Sequence, residues 1–150
     1  CTVVQLKRRN WDGPEECKLC KEQEDADHII FRCPLASFVW CWIRDSLGWD
    51  GIPDSLSEFA DRRLGDGSKP KRELMIYLLA SVSWVLASVS WVLWRTRNDW
   101  VFSNILINNP KSLAYKVIVF LQFWSKMASV EGQTRRERLP LKLEQGLRRI

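Results

Sequence analysis

The sequence predicts an all-α fold in which a small N-terminal subdomain leads into a helical bundle with one long, tryptophan-rich helix. Three observations predict it. Leu35, Phe38, Val39, Trp42, Ile43 and Leu47 recur at the three- and four-residue spacing of one helix face. An apolar run from about Pro70 to Trp94, continuing through Arg95 to Phe102, reads as a single long helix. Leu113, Val117, Phe120, Leu121 and Trp124 line one face of a last helix. The length of 150 residues suits one core, or a small finger joined to a helical module. With 46% apolar and 27% charged residues the chain is composed to fold, and its nine tryptophans shift the expected packing toward aromatic rings.

Each element has its own start and stop signals. Residues 1–16 are short, basic and then turn-like, a strand or helix remnant running into a loop. Pro34 suits the first turn of the helix that follows, and Gly48 stops it. Ser55 and Glu58 form a capping box for a short helix to about Leu64, and Gly65-Asp66-Gly67-Ser68 is the linker candidate. Asn109 caps the last helix with Pro110 at its first position, and from Glu131 the chain is polar and basic. These signals divide the chain into 1–50, a finger with its following helix, 51–130, a helical region, and 131–150, a basic flexible tail. Within the long helix Ala80–Leu86 reads ASVSWVL, and Ala87–Leu93 repeats it. Seven residues are close to two helical turns, so the second copy sits over the first, rotated by about 20°.

Cys17, Cys20, His28 and Cys33 form the pattern C-x2-C-x7-H-x4-C. Two thiolates from a tight turn, with a histidine and a cysteine from the next segment, complete a tetrahedron of three sulfurs and one nitrogen, a shell that suits zinc and leaves no position for water. The subdomain is therefore zinc-knuckle-like, with a structural metal. The competing readings are reduced buried cysteines beside an incidental histidine, or a redox pair of Cys17 and Cys20. Cys41 falls off the apolar stripe and reads as a spare thiol; Cys1 has no assigned role.

The runs Cys17-Lys-Leu-Cys20, His28-Ile-Ile-Phe31-Arg-Cys33-Pro34-Leu-Ala36 and Val39-Trp40, with upstream Leu6 to Gly13, resemble the zinc-binding domain of plant LINE-type retrotransposon reverse transcriptases. Trp91, Trp94, Arg97, Asn98, Val101 and Phe102 are similar to that family's downstream Trp-x-x-Trp-x-x-Arg-Asn-x-x-Val-Phe segment. The resemblance implies a non-catalytic module with these four metal ligands, associating with RNA or DNA. The spacing of acids shows neither polymerase nor ribonuclease H motifs.

Charge places any polyanion contact toward the C-terminus. Residues 1–50 hold seven Lys or Arg against nine Asp or Glu, and residues 51–150 hold sixteen against nine, within a net charge of +5. The loop Lys21–Asp27 carries four acids and repels phosphate. The candidate nucleic-acid contacts are Arg62, Arg63, Lys69, Lys71 and Arg72, then Arg95 and Arg97, then Arg135, Arg136 and Arg138 with Arg148 and Arg149. Arg97 and Asn98 also read as a helix-terminating pair, Arg97 on terminal carbonyls and Asn98 in the left-handed conformation. A protein partner or homo-oligomer through aromatic surface is the alternative, and so is a membrane span over 74–94, which is 21 residues without charge. Four serines and interior tryptophans dilute that run. An odd cysteine count without a signal peptide points to an intracellular protein, nuclear or cytoplasmic and not secreted. The start on Cys1 suggests a segment cut from a longer reading frame or processed.

Overall fold

The computed structural model describes residues 3–13, 15–64, 72–127 and 133–148. In chain order these form α1 (Val3–Lys7), a π-helical turn (His28–Arg32), α2 (Pro34–Leu47), α3 (Leu56–Leu64), α4 (Arg72–Ser103), α5 (Lys111–Met127) and α6 (Gln133–Leu147). Among the described residues the only β pairing is an isolated antiparallel bridge between Glu16 and Gln23. The expected linker at 65–68 lies outside the described residues.

Local chemistry sets the element ends. Asn10 takes a left-handed φ of 58° after α1, and Trp11 N–H reaches back to the Leu6 carbonyl at 3.1 Å. Pro34 opens α2, and Gly48 closes it at φ 67°, donating to the Arg44 carbonyl. The capping box at α3 forms with a one-residue shift: Ser55 Oγ accepts from Glu58 N–H at 3.2 Å, while the Glu58 carboxylate accepts from Asp54 N–H at 2.6 Å. At α5, Asn109 Oδ1 accepts from Lys111 N–H at 2.9 Å.

One buried cluster runs through the molecule. It joins Cys17, Phe31 and Cys33 of the finger to Val39, Trp40, Trp42 and Ile43 of α2, and then to residues of α4, α5 and α6. α5 packs against both α4 and α6, α6 also packs on α2, and α2 and α4 flank the π-helical turn. The finger and the bundle thus share a core.

The segment from Glu131, expected as a flexible tail, holds α6 instead. Leu143 and Leu147, four residues apart, are fully buried, and the Leu143 carbonyl accepts the Trp42 indole N–H at 3.2 Å. The basic run and Pro140 inside the helix conceal this stripe in the sequence. Close approach of α6 to α2 depends on Gly146, because a Cβ there would lie 1.9 Å from Ser46 Oγ and 3.3 Å from Ser46 Cα. Gly146→Val is expected to force the helices apart and to lower stability by about 1–3 kcal/mol. Chemical denaturation checks this; an unchanged midpoint would remove α6 from α2.

Among the described residues no helix is long and apolar enough to cross a membrane. The side chains of residues 74–82, the first part of the uncharged run, lie outside those described. In its second part Val85, Val89, Val92 and Leu93 are buried in the shared core.

Candidate metal centre

Two local devices bring the four predicted ligands together. The first is a tight knuckle. Cys17 N–H donates to the Glu22 carbonyl at 2.8 Å and Lys21 N–H donates to the Cys17 carbonyl at 2.9 Å, with the Glu16–Gln23 bridge closing the turn. Lys21 completes it at φ 66°, a left-handed conformation that a side chain resists by about 1–2 kcal/mol. Lys21→Gly is therefore expected to raise thermal stability and preserve metal content, with a gain on the order of 1 kcal/mol. A loss of stability would contradict the turn.

The second device is the π-helical turn. Its i-to-i+5 hydrogen bond, from Cys33 N–H to the His28 carbonyl at 2.7 Å, matches the H-x4-C spacing and turns both side chains to one side. Pro34 then starts α2, so Cys33 is fixed at a helix entry.

The resulting ligand atoms all lie within 4.8 Å of one another. Cys17 Sγ is 4.0 Å from Cys33 Sγ, and Cys20 Sγ is 3.3 Å from His28 Nε2. Zinc bonds of ~2.3 Å to sulfur and ~2.0–2.1 Å to nitrogen require tetrahedral edges of roughly 3.8 Å between sulfurs and 3.5 Å between sulfur and nitrogen. The donor set fits that ion. Cys17, Cys33 and His28 are buried, with His28 only 1% exposed, so the shell is closed to solvent on three corners. A hydrogen bond shared with Cys33 holds the Cys17 thiol down to about 4, and the same contact pushes Cys33 up, with burial adding to it. Burial also raises Cys20.

The acidic loop between the two ligand pairs has an inward purpose. Glu22 approaches His28 Nδ1 at 3.5 Å, the side of the ring opposite the ligand nitrogen, where a carboxylate orients a metal-bound imidazole. Asp25 accepts from His28 N–H at 2.6 Å and is held by Arg32 at 2.7 Å. Burial works to raise the Asp25 carboxyl, but those two donors outweigh it and hold it below the usual range. Asp27 caps α3 by accepting from Leu56 N–H at 3.1 Å. Glu24, 2% exposed, accepts from Arg97 Nε at 2.8 Å. All four acids are thus engaged by the fold.

Below the site, Phe31 stacks on Trp40 with centroids 5.6 Å apart and rings 15° from parallel, and the Trp40 indole donates to the Ile30 carbonyl at 2.7 Å. Phe59 and Trp49 extend the aromatic floor. Lys18 Nζ reaches the Trp100 carbonyl at 3.4 Å, a second tether from knuckle to α4.

The candidate nucleic-acid residues are placed unequally. Arg95 is exposed on α4. Arg97 faces inward: it is 9% exposed, pairs with Glu24, donates to Asn98 Oδ1 at 3.0 Å and lies 5.6 Å from the Phe102 ring centroid. It presents no open fork to a phosphate. The expected helix-terminating roles of Arg97 and Asn98 are corrected as well, because α4 continues to Ser103 and the left-handed residue beyond it is Asn104 at φ 55°. Arg62 and Arg63 fall on α3, Arg72 on α4, and Arg135, Arg136 and Arg138 on α6, with side chains outside those described. Lys69, Lys71 and Arg149 lie outside the described residues. Arg148 pairs with Glu144 at 2.9 Å.

Residues 1–40 match the family described as zinc-binding in reverse transcriptase. That span contains all four clustered ligands and ends within α2. No curated protein and no solved structure matches the chain.

Proposed function

We propose that this chain is a zinc-stapled, non-catalytic module of plant LINE-type reverse transcriptase origin that associates with RNA or DNA inside the cell. The observation that carries the reading is the converging set of three sulfurs and one nitrogen within the family-matched residues. Cys17, Cys20, His28 and Cys33 would hold one zinc ion, which supplies folding energy to a segment with little core of its own. Four protein donors fill a tetrahedral shell, so the chemistry supported is structural. The excess of bases over acids beyond residue 50 supports a polyanionic partner, with any contact placed away from the acidic loop.

Salt-titrated binding to single-stranded RNA and DNA tests the association. Affinity is expected to fall linearly with the logarithm of salt concentration, in proportion to the phosphates neutralised. Absent or salt-insensitive binding would overturn it.

A further inference from the structure

The ASVSWVL duplication has a consequence on the surface of α4. Trp84 and Trp91 occupy the same place in the two copies, so they project from one side of the helix about 10 Å apart. Each meets an aromatic side chain of α5: Trp84 packs edge-on against Trp124 at 6.4 Å, and Trp91 against Phe120 at 6.4 Å. The two helices run antiparallel here, and the pairs form successive rungs across their seam. Each rung has one ring open to solvent, Trp91 at 45% and Trp124 at 38%, while Trp84 and Phe120 are half-buried against the core, and Phe123 and Val119 continue the apolar surface over α5.

Charge follows at one end of this ladder. Arg95 stands one turn beyond Trp91, and Lys116 one turn before Phe120, both exposed. Lys126, past Trp124, is exposed at the other end, and α5 carries three lysines and no acid. Among the described residues none of Arg95, Lys116 and Lys126 is held in an ion pair. Asp99, half-buried one turn past Arg95, bounds the basic end and lines a shallow groove with Lys116.

We propose that the α4–α5 seam is a stacking platform for single-stranded nucleic acid, with splayed bases on the Trp84/Trp124 and Trp91/Phe120 rungs and phosphate at Arg95 and Lys116. Half-exposed aromatic faces beside cations that neutralise a backbone are the two parts of sequence-tolerant single-strand binding. The platform rests on the nucleic-acid reading above, but lies beyond the family-matched residues and does not involve the metal ligands.

The test is fluorescence anisotropy of a labelled single-stranded oligouridine with the full zinc-loaded chain, at several salt concentrations and with sedimentation in parallel. Trp91→Ala is expected to weaken binding about tenfold, the loss of one base stack, while zinc content and helix content stay unchanged. Trp91→Phe retains most of the affinity. Lys116→Glu weakens binding and flattens its salt dependence. If the parent binds with the expected salt dependence but Trp91→Ala and Lys116→Glu bind as tightly as it does, the platform is overturned and nucleic-acid association stands. No binding by the parent overturns both. A concentration-dependent dimer abolished by Trp91→Ala, or uptake onto anionic vesicles without oligouridine binding, would assign the seam to another occupant and overturn the platform.

Discussion

Cys20→Ser and His28→Ala are each expected to abolish stoichiometric zinc, with metal analysis giving near one ion per chain in the parent and a small fraction of that in the variants. The expected structural effect is large and local. Binding of a structural zinc in isolated finger peptides is worth about 10–16 kcal/mol, and part of that free energy becomes folding free energy here, where the segment adds few apolar side chains of its own to the shared core. Between Cys17 and Cys33 the buried residues are the ligands Cys17, His28 and Cys33, with Glu24, Ile29 and Phe31. Most of what is buried there is therefore donor or polar, and the metal organises it. Amide hydrogen exchange over residues 17–33 should rise steeply in both variants, with smaller changes over α5 and α6. Cys20 is the informative position, because it is partly exposed and serine replaces it without leaving a cavity. Retained zinc together with retained exchange protection in Cys20→Ser would contradict the assignment.

The second large effect is expected at the Glu24–Arg97 pair, which fastens the finger loop to α4. Both side chains are more than nine-tenths buried, so removing one partner strands a charge away from water, at a cost of about 3–5 kcal/mol. Glu24→Met and Arg97→Met should each approach that loss, read from denaturant midpoints. Replacing both by methionine should recover much of it, since an apolar pair of similar volume has no charge to bury. Zinc stoichiometry should stay near one in all three, because neither residue is a ligand. Single variants that lose under 1 kcal/mol, or a double variant that loses the sum of both, would show that the pair does not act as a unit.

This pair also shows what can be read from sequence and what cannot. The ligand set was legible because metal chemistry fixes both residue type and spacing, and H-x4-C is the span of one π-helical turn. The helices were legible where an apolar stripe is long or an end is chemically marked, as at Pro34, Gly48 and Asn109. Arg97 was not, because an arginine carries no mark of its partner; Glu24 is 73 residues away in the chain, and only the fold reveals the contact. The acidic loop misled for the same reason. Its charges suggested a solvated surface, which holds for Glu22 and Asp25, whereas Glu24 is buried against Arg97 of α4 and Asp27 accepts from the start of α3. Trp40 was obscured by lying beside the Leu35–Val39–Trp42 stripe, although it seats the floor of the metal site. α6 was hidden by sparse leucines, a proline and a run of arginines, since its stability comes from packing on α2 and α5 rather than from its own composition.

X-ray absorption at the zinc edge of the loaded protein reads the coordination sphere itself. The expected result is three sulfur scatterers at about 2.3 Å and one imidazole nitrogen at about 2.0–2.1 Å. A shell with fewer than three sulfurs, or with a water oxygen in place of a protein donor, would contradict the closed structural site.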